Sequence, residues 1–135
     1  MSDYKQQVID FFERRTAYDA EGDSHPNEAK RLLKYVGVQP GQSILDIATG
    51  TGLVAIPAAK KVAFNGSVVG VDISSGMLKQ AKNKIESEKI SNLELIEADI
   101  DLVEFVAVAT SKPIIKPEKS EPFVVGEIEA AIGVD

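Results

Sequence analysis

Cysteine and tryptophan are absent from this chain of 135 residues, and histidine occurs once. Without cysteine there are no disulfides, no thiolate nucleophiles and no zinc–sulfur sites. No stretch approaches the roughly 20 apolar residues that a membrane span requires. The opening segment, "MSDYKQQVIDFFERR", carries acids and no continuous apolar run, so it does not read as a signal peptide. Positive charge is short as well: 15 Lys and Arg against 21 Asp and Glu give a net charge of −6. That balance argues against nucleic acid and against anionic membrane surfaces, because like charges repel. The expectation is a soluble, acidic, cytoplasmic protein whose partner is a small molecule.

What is present reads as one domain over 1–135, with enough apolar residues (44%) to bury a real core. Tyr4, Val8, Phe11, Phe12 and Arg15 fall at helical spacing and predict a first amphipathic helix over 4–15. "YDAEGDSHPNE" (18–28) reads as a polar loop. Pro26 suits the first turn of a second helix, whose apolar stripe is Ala29, Leu32, Leu33 and Val36. "VQPGQ" (38–42) is a turn feeding the strand 43–47.

"ILDIATGTGLVAIPAA" (44–59) then passes from strand through a glycine turn into a helix from about Leu53 to Val62. Pro57 inside that helix predicts a kink or a late start. "VVGVD" (68–72) is a second buried strand. Ser74 or Ser75 caps a helix over 76–89, with Leu78, Ala81 and Ile85 toward the core. "LELIEAD" (93–99) is a third strand. Strand, helix, strand, helix, strand in this order makes parallel neighbours with right-handed crossovers. The fold class is therefore α/β: a Rossmann-like three-layer sandwich holding a partial doubly wound parallel sheet, with atypical C-terminal strands. Residues 1–101 form the ligand-binding half, and 102–135 an atypical tail long enough to complete the sheet.

Ligands of open parallel sheets sit beyond the carboxyl ends of the strands. Asp46, Asp72 and Asp99 lie at or near those ends. Gly50 and Gly52 let the backbone approach a ligand, and the helix that follows offers amide groups and a partial positive charge. Two cofactors suit this layout. Gly50-Thr51-Gly52-Leu53-Val54-Ala55 satisfies the dinucleotide fingerprint, with Asp72 lying 20 residues beyond Gly52. An adenosyl-methionine site is the alternative, and Asp46 favours it. A carboxylate beside a pyrophosphate is repelled, whereas one beside an amino-acid ammonium is attracted. Each acid also has a purely structural reading: Asp46 bracing the turn, Asp72 capping the next helix, Asp99 sitting in a turn.

"ILDIATGTG" together with "VVGVDISSGML" resembles the first two motifs of class I S-adenosylmethionine-dependent methyltransferases. The branch with the ubiquinone/menaquinone-biosynthesis and type 11 small-molecule enzymes is especially similar. The resemblance covers roughly 18–101, the N-terminal half of such an enzyme, starting at "YDAEGDSHPNEAKRLL". Asp46, Gly50 and Gly52 fit the first motif, and Ala48 stands where glycine is usual. The resemblance implies that the backbone around Ala48, Thr49, Gly50, Thr51 and Gly52 contacts the methionyl part and ribose of S-adenosyl-L-methionine. It further implies that Asp72 binds the ribose hydroxyls and that Ile73 packs on adenine. Asp99 would accept from the adenine amino group, with Ile100 beside the ring. Tyr18 lies in a region whose aromatic reaches the methionine carboxylate. No catalytic residue and no metal site is implied.

The family continues past its third strand into a fourth strand on the far side of the first. Here the three residues 100–102 reach only about 10 Å. A parallel strand there would need one strand length plus three lateral spacings of about 4.8 Å. "LVEFVAVAT" (102–110) is therefore expected to fold back antiparallel beside the third strand, or to pair with another chain. "SKPIIKPEKSEP" (111–122) reads as a linker of about 40 Å reach, so "FVVGEIE" from 123 onward can return to cover the open edge of the first strand. A second copy could supply the same strand, giving a homodimer through the exposed sheet edge.

The lone His25 reads more readily as an exposed loop residue or a helix-start partner than as a catalytic base. Lys112, Lys116 and Lys119 read as a solvating basic stretch. Three functions share the pattern. One is a small-molecule methyltransferase, or its cofactor-binding portion. Another is a catalytically silent, truncated binding module for S-adenosylmethionine or S-adenosylhomocysteine. An NAD-binding domain fits less well.

Overall fold

The computed structural model describes residues 3–99. The readings for Ile100, the strand 103–110, the linker 111–122 and the returning segment from 123 lie outside the described residues. Within them the chain runs α1 (Asp3–Glu13), a 3-10 turn (Tyr18–Ala20), α2 (Ser24–Val36), β1 (Ser43–Ile47), α3 (Ala55–Val62), β2 (Ser67–Asp72), α4 (Ser75–Ser87) and β3 (Leu93–Glu97).

The three strands form one parallel sheet in the order β1-β2-β3. Ile47 stands opposite Val71, and Val71 opposite Ile96, so the strands end level with one another. The loops that follow all three therefore leave from the same edge. Right-handed crossovers that step in one direction carry α3 and α4 over one face of the sheet. On that face Ile44, Val68 and Leu93 meet Ala55, Ala58, Ala59 and Val62 of α3, together with Leu33 of α2 and Val38. The three α3 alanines are almost wholly buried, and their small side chains let the helix lie close to the strands. Burial of Val62 and Val68 contributes about 1.5–3 kcal/mol each. The opposite face carries Leu45, Ile47, Val69, Val71 and Ile96. A sheet apolar on both faces is the parallel-sheet pattern.

Helix ends follow local chemistry. Gly37 takes the left-handed conformation that stops α2, its amide donating to the Leu33 carbonyl. The Asn92 side-chain amide donates to the carbonyls of Ala59 and Ala63, both at 2.8 Å, and so closes the C-terminus of α3. The Ser74 hydroxyl accepts from the Met77 amide and starts α4.

Pro57 produces the late start. α3 begins at Ala55, which leaves proline at its third position, where no intrahelical donor is required. Three readings need correction. The stretch 18–28 is no plain loop, since it holds the 3-10 turn Tyr18–Ala20, while α2 starts at Ser24 and takes Pro26 into its first turn as expected. β3 ends at Glu97, so Asp99 lies two residues past the strand. Leu32, placed on the core stripe of α2, is largely exposed, and Ile85 is only half-buried. α1 has no buried residue at all. It packs on α4, and its apolar side chains Val8 and Phe12 face a cleft rather than the core.

Candidate functional site

The turn after β1 is held by contacts that reach into β2. The Thr49 hydroxyl donates to Asp46 at 2.7 Å, and the Thr49 amide donates to the Val71 carbonyl. The Thr49 side chain lies over Gly70, the residue opposite Asp46 in the sheet register. A Cβ on Gly70 would stand 2.8 Å from that hydroxyl, so glycine in mid-strand is what lets the turn settle here. Ala48 takes a positive φ of 58°, the conformation in which glycine is unstrained.

At the end of β2 the Asp72 carboxylate ties two loops together. One oxygen accepts from the Gly50 amide and the other from the Ser74 amide, each at 2.8 Å. A carboxylate has about four acceptor positions, so capacity for a further donor remains on each oxygen. Asp72 therefore braces the site and still faces it, whereas α4 is capped by Ser74.

One expectation about the turn changes. The amide of Thr49 goes to Val71, that of Gly50 to Asp72, and that of Gly52 to the Thr49 carbonyl at 2.8 Å. These three donors hold the turn together instead of pointing at a ligand. The grip on a ligand then falls to side chains and to what remains of the backbone.

Beyond β3, Asp99 accepts from the Lys5 ammonium of α1 at 2.6 Å. The pair lines a recess of about 260 Å³ together with Ala48, Asp72 and Ile73. The recess adjoins a larger cleft of about 520 Å³ and shares Val8, Ala48, Asp72 and Ile73 with it.

The far wall of the larger cleft comes from α1 and the segment behind it, fastened to α4 by polar contacts. The Glu13 carboxylate accepts from the Ser74 hydroxyl and the Gly76 amide at 2.8 Å each. These bonds, the Gly76 amide first, hold its carboxyl below the ordinary glutamate range. The Gln80 side chain donates to the Arg15 carbonyl and accepts from the Tyr18 amide. Asp19 accepts from the Lys84 ammonium at 2.6 Å and from the buried Thr51 hydroxyl. Tyr18 is thereby fixed at the cleft, its ring stacked on His25 with centroids 5.2 Å apart. The Arg15 guanidinium lies over the Tyr18 ring at 4.6 Å and pairs with Glu21.

Of the residues expected at the site, Tyr18, Asp46, Ala48, Thr49, Gly50, Thr51, Asp72 and Ile73 line the larger cleft. Asp99 joins Ala48, Asp72 and Ile73 in the recess. Gly52 lines neither; a Cβ there would meet the Ile56 side chain at 3.0 Å, so this glycine serves packing beneath the turn. The cleft also contains Val8, Phe12, Leu53, Met77 and His25, which motif reading missed. For Val8 and Phe12 the signal is an apolar stripe on a helix upstream of a sheet that does not need it for its core.

Comparisons with known proteins bear on what the cleft holds. The chain matches the family model of a methyltransferase domain over residues 39–112. It is 32% identical over 108 residues to the aklanonic acid methyltransferase of a Streptomyces species, covering 78% of this chain and 49% of that one. To the demethylmenaquinone methyltransferase of Staphylococcus saprophyticus it is 33% identical over 101 residues, covering 70% and 42%. The chain thus spans about half the length of the curated relatives it matches. A crystal structure of a SAM dependent methyltransferase from Aquifex aeolicus superposes with a TM-score of 0.57 and 21% identity, over 66% of this chain and 48% of that one. That likeness concerns the fold alone.

Proposed function

The chain belongs to the methyltransferase-domain family, the class I S-adenosylmethionine-dependent methyltransferases, and we propose that it binds S-adenosylmethionine for methyl transfer to a small molecule. The observation that carries this reading is the charge of the cleft. Glu28, Asp46 and Asp72 line it, against His25 as the one basic side chain among the described lining residues. An excess of carboxylates suits a ligand bearing a sulfonium and an ammonium group, and it repels a pyrophosphate. The turn amides that would cradle a pyrophosphate are also partly spent inside the protein. Both arguments count against a dinucleotide.

On this reading Asp46 faces the ligand's ammonium group, with Thr49 holding its carboxylate in place. Asp72 accepts from the ribose hydroxyls while the Gly50 and Ser74 amides fix its orientation. Ile73 packs on the nucleobase, and Asp99 borders the recess that would receive it. When bound, S-adenosylmethionine supplies a methyl group activated on sulfur. The protein's part is to hold donor and acceptor in line, which lowers the barrier by converting an encounter in solution into a positioned, effectively unimolecular step.

The methyl acceptor is a small molecule by analogy with relatives named for aklanonic acid, demethylmenaquinone and phytyl-naphthoquinone substrates. The alternative to an active enzyme is a binding module that does not itself turn over. The outer edge of β1 pairs with no strand among the described residues, which supports closure by residues 123–135 or by a second copy in a homodimer. Among the described residues no helix is long and apolar enough to cross a membrane.

Calorimetric titration of the whole chain with S-adenosylmethionine, S-adenosylhomocysteine and NAD tests the ligand. Saturable binding of the first two, and none of NAD, is expected; the reverse order would overturn the assignment. Methyl transfer by the isolated chain to a naphthoquinol would then separate an enzyme from a silent module.

A further inference from the structure

We infer that His25 is the residue that receives the ligand's carboxylate, a role distinct from any catalytic base. The inference rests on the ligand class proposed above, and it comes from an inventory of donors around the larger cleft. An amino-acid arm brings one carboxylate into a space already lined by Glu28, Asp46 and Asp72. That carboxylate needs a donor, preferably a cationic one. The nearby cations are engaged elsewhere: Lys5 with Asp99, Arg15 with Glu21 and Lys84 with Asp19, and none of the three lines this cleft. The hydroxyls of the turn are engaged too, Thr49 with Asp46 and Thr51 with Asp19. The amides of Thr49, Gly50 and Gly52 hold the turn.

His25 is what remains with both a place in the cleft and the capacity for positive charge. Its position is fixed rather than floppy. It stands in the first turn of α2, and its ring stacks on Tyr18 with an interplanar angle of 17°. Nδ1 lies 3.9 Å from the Glu28 carboxylate, which leaves Nε2 as the opposite edge of the ring. Stacking also explains why an aromatic at position 18 belongs to the site: Tyr18 is the platform that keeps the imidazole in the cleft wall. The ammonium of the same arm goes to Asp46, so the two ends of the zwitterion meet opposite charges on separate elements, β1 and α2.

The test is a double-mutant cycle between the protein and the ligand. The probes are S-adenosylhomocysteine and its decarboxylated analogue, 5′-(3-aminopropylthio)-5′-deoxyadenosine, titrated calorimetrically into the whole chain. His25→Phe preserves the stack on Tyr18 and removes the donor. It should weaken S-adenosylhomocysteine about tenfold, the effect of one charged hydrogen bond, and the decarboxylated analogue less than twofold. Tyr18→Phe keeps the platform and removes the phenol, the rival side-chain donor in the cleft wall. Equal loss for the two ligands in His25→Phe, or no loss for either, would overturn the inference while leaving the ligand class intact. So would a carboxylate-dependent loss in Tyr18→Phe alone. If the unaltered chain binds neither probe, the proposed ligand class fails and this inference falls with it.

Discussion

Glu13 and Gly76 lie 63 residues apart in sequence, yet the Gly76 amide donates to the Glu13 carboxylate at 2.8 Å. The contact joins the end of α1 to the first turn of α4, and a Cβ on residue 76 would collide with the carboxylate. This contact and its polar neighbours fasten the cleft wall to α4.

Glu13→Gln should lower stability by up to about 1 kcal/mol at neutral pH, because a neutral amide oxygen accepts from the Gly76 amide and the Ser74 hydroxyl more weakly than a carboxylate does. The folded-state pKa of Glu13 lies below its ordinary value, so its contribution is present above the unfolded-state pKa. It is lost as the pH falls through the folded-state pKa. Urea midpoints of the two proteins should therefore differ at pH 7 and converge in acid. A gap that persists below the carboxylate range would show that the charge of Glu13 contributes nothing.

Asp72→Ala removes the acceptor of two amides as well as a candidate ribose partner. Ligand affinity should fall by about 1–3 kcal/mol, and stability by a similar amount. Titration with S-adenosylhomocysteine and a denaturation curve read the two effects separately. Lost stability with unchanged affinity would make Asp72 a brace only.

Gly70→Ala places a methyl group against the Thr49 side chain. The turn must shift, at a cost of about 1–3 kcal/mol, and Asp46 loses its hydroxyl donor. The variant should bind S-adenosylhomocysteine more weakly although residue 70 lies outside the cleft lining. Affinity and melting temperature equal to those of the unaltered chain would refute this account of the turn.

Ala48→Gly relieves a left-handed backbone at the cost of extra freedom in the unfolded chain. The net effect should be a gain of up to about 1 kcal/mol, visible as a higher melting temperature. A lower one would mean that the Ala48 methyl packs usefully in the cleft.

Closure of the β1 edge has a hydrodynamic signature. Light scattering after size exclusion should give the mass of a dimer if a second copy supplies the missing strand. A strict monomer across the accessible concentration range would leave only residues of the same chain to do it.

The sequence alone determined the strand–turn–helix order from 43 to 97, a break in the regular helix at Pro57, and the arrival of Asp46 and Asp72 at one sheet edge. Those features are local: apolar periods, glycine and proline placement, and the direction of parallel crossovers are all written within short windows. Only the tertiary structure decided that the amides of Thr49, Gly50 and Gly52 turn inward, that Lys5 meets Asp99, and that Val8 and Phe12 face a cleft. Each of these depends on partners far along the chain, or on which of several possible acceptors a donor finds once the elements have packed. A periodic pattern reports which face of a helix is apolar, but not whether that face meets a core or a ligand.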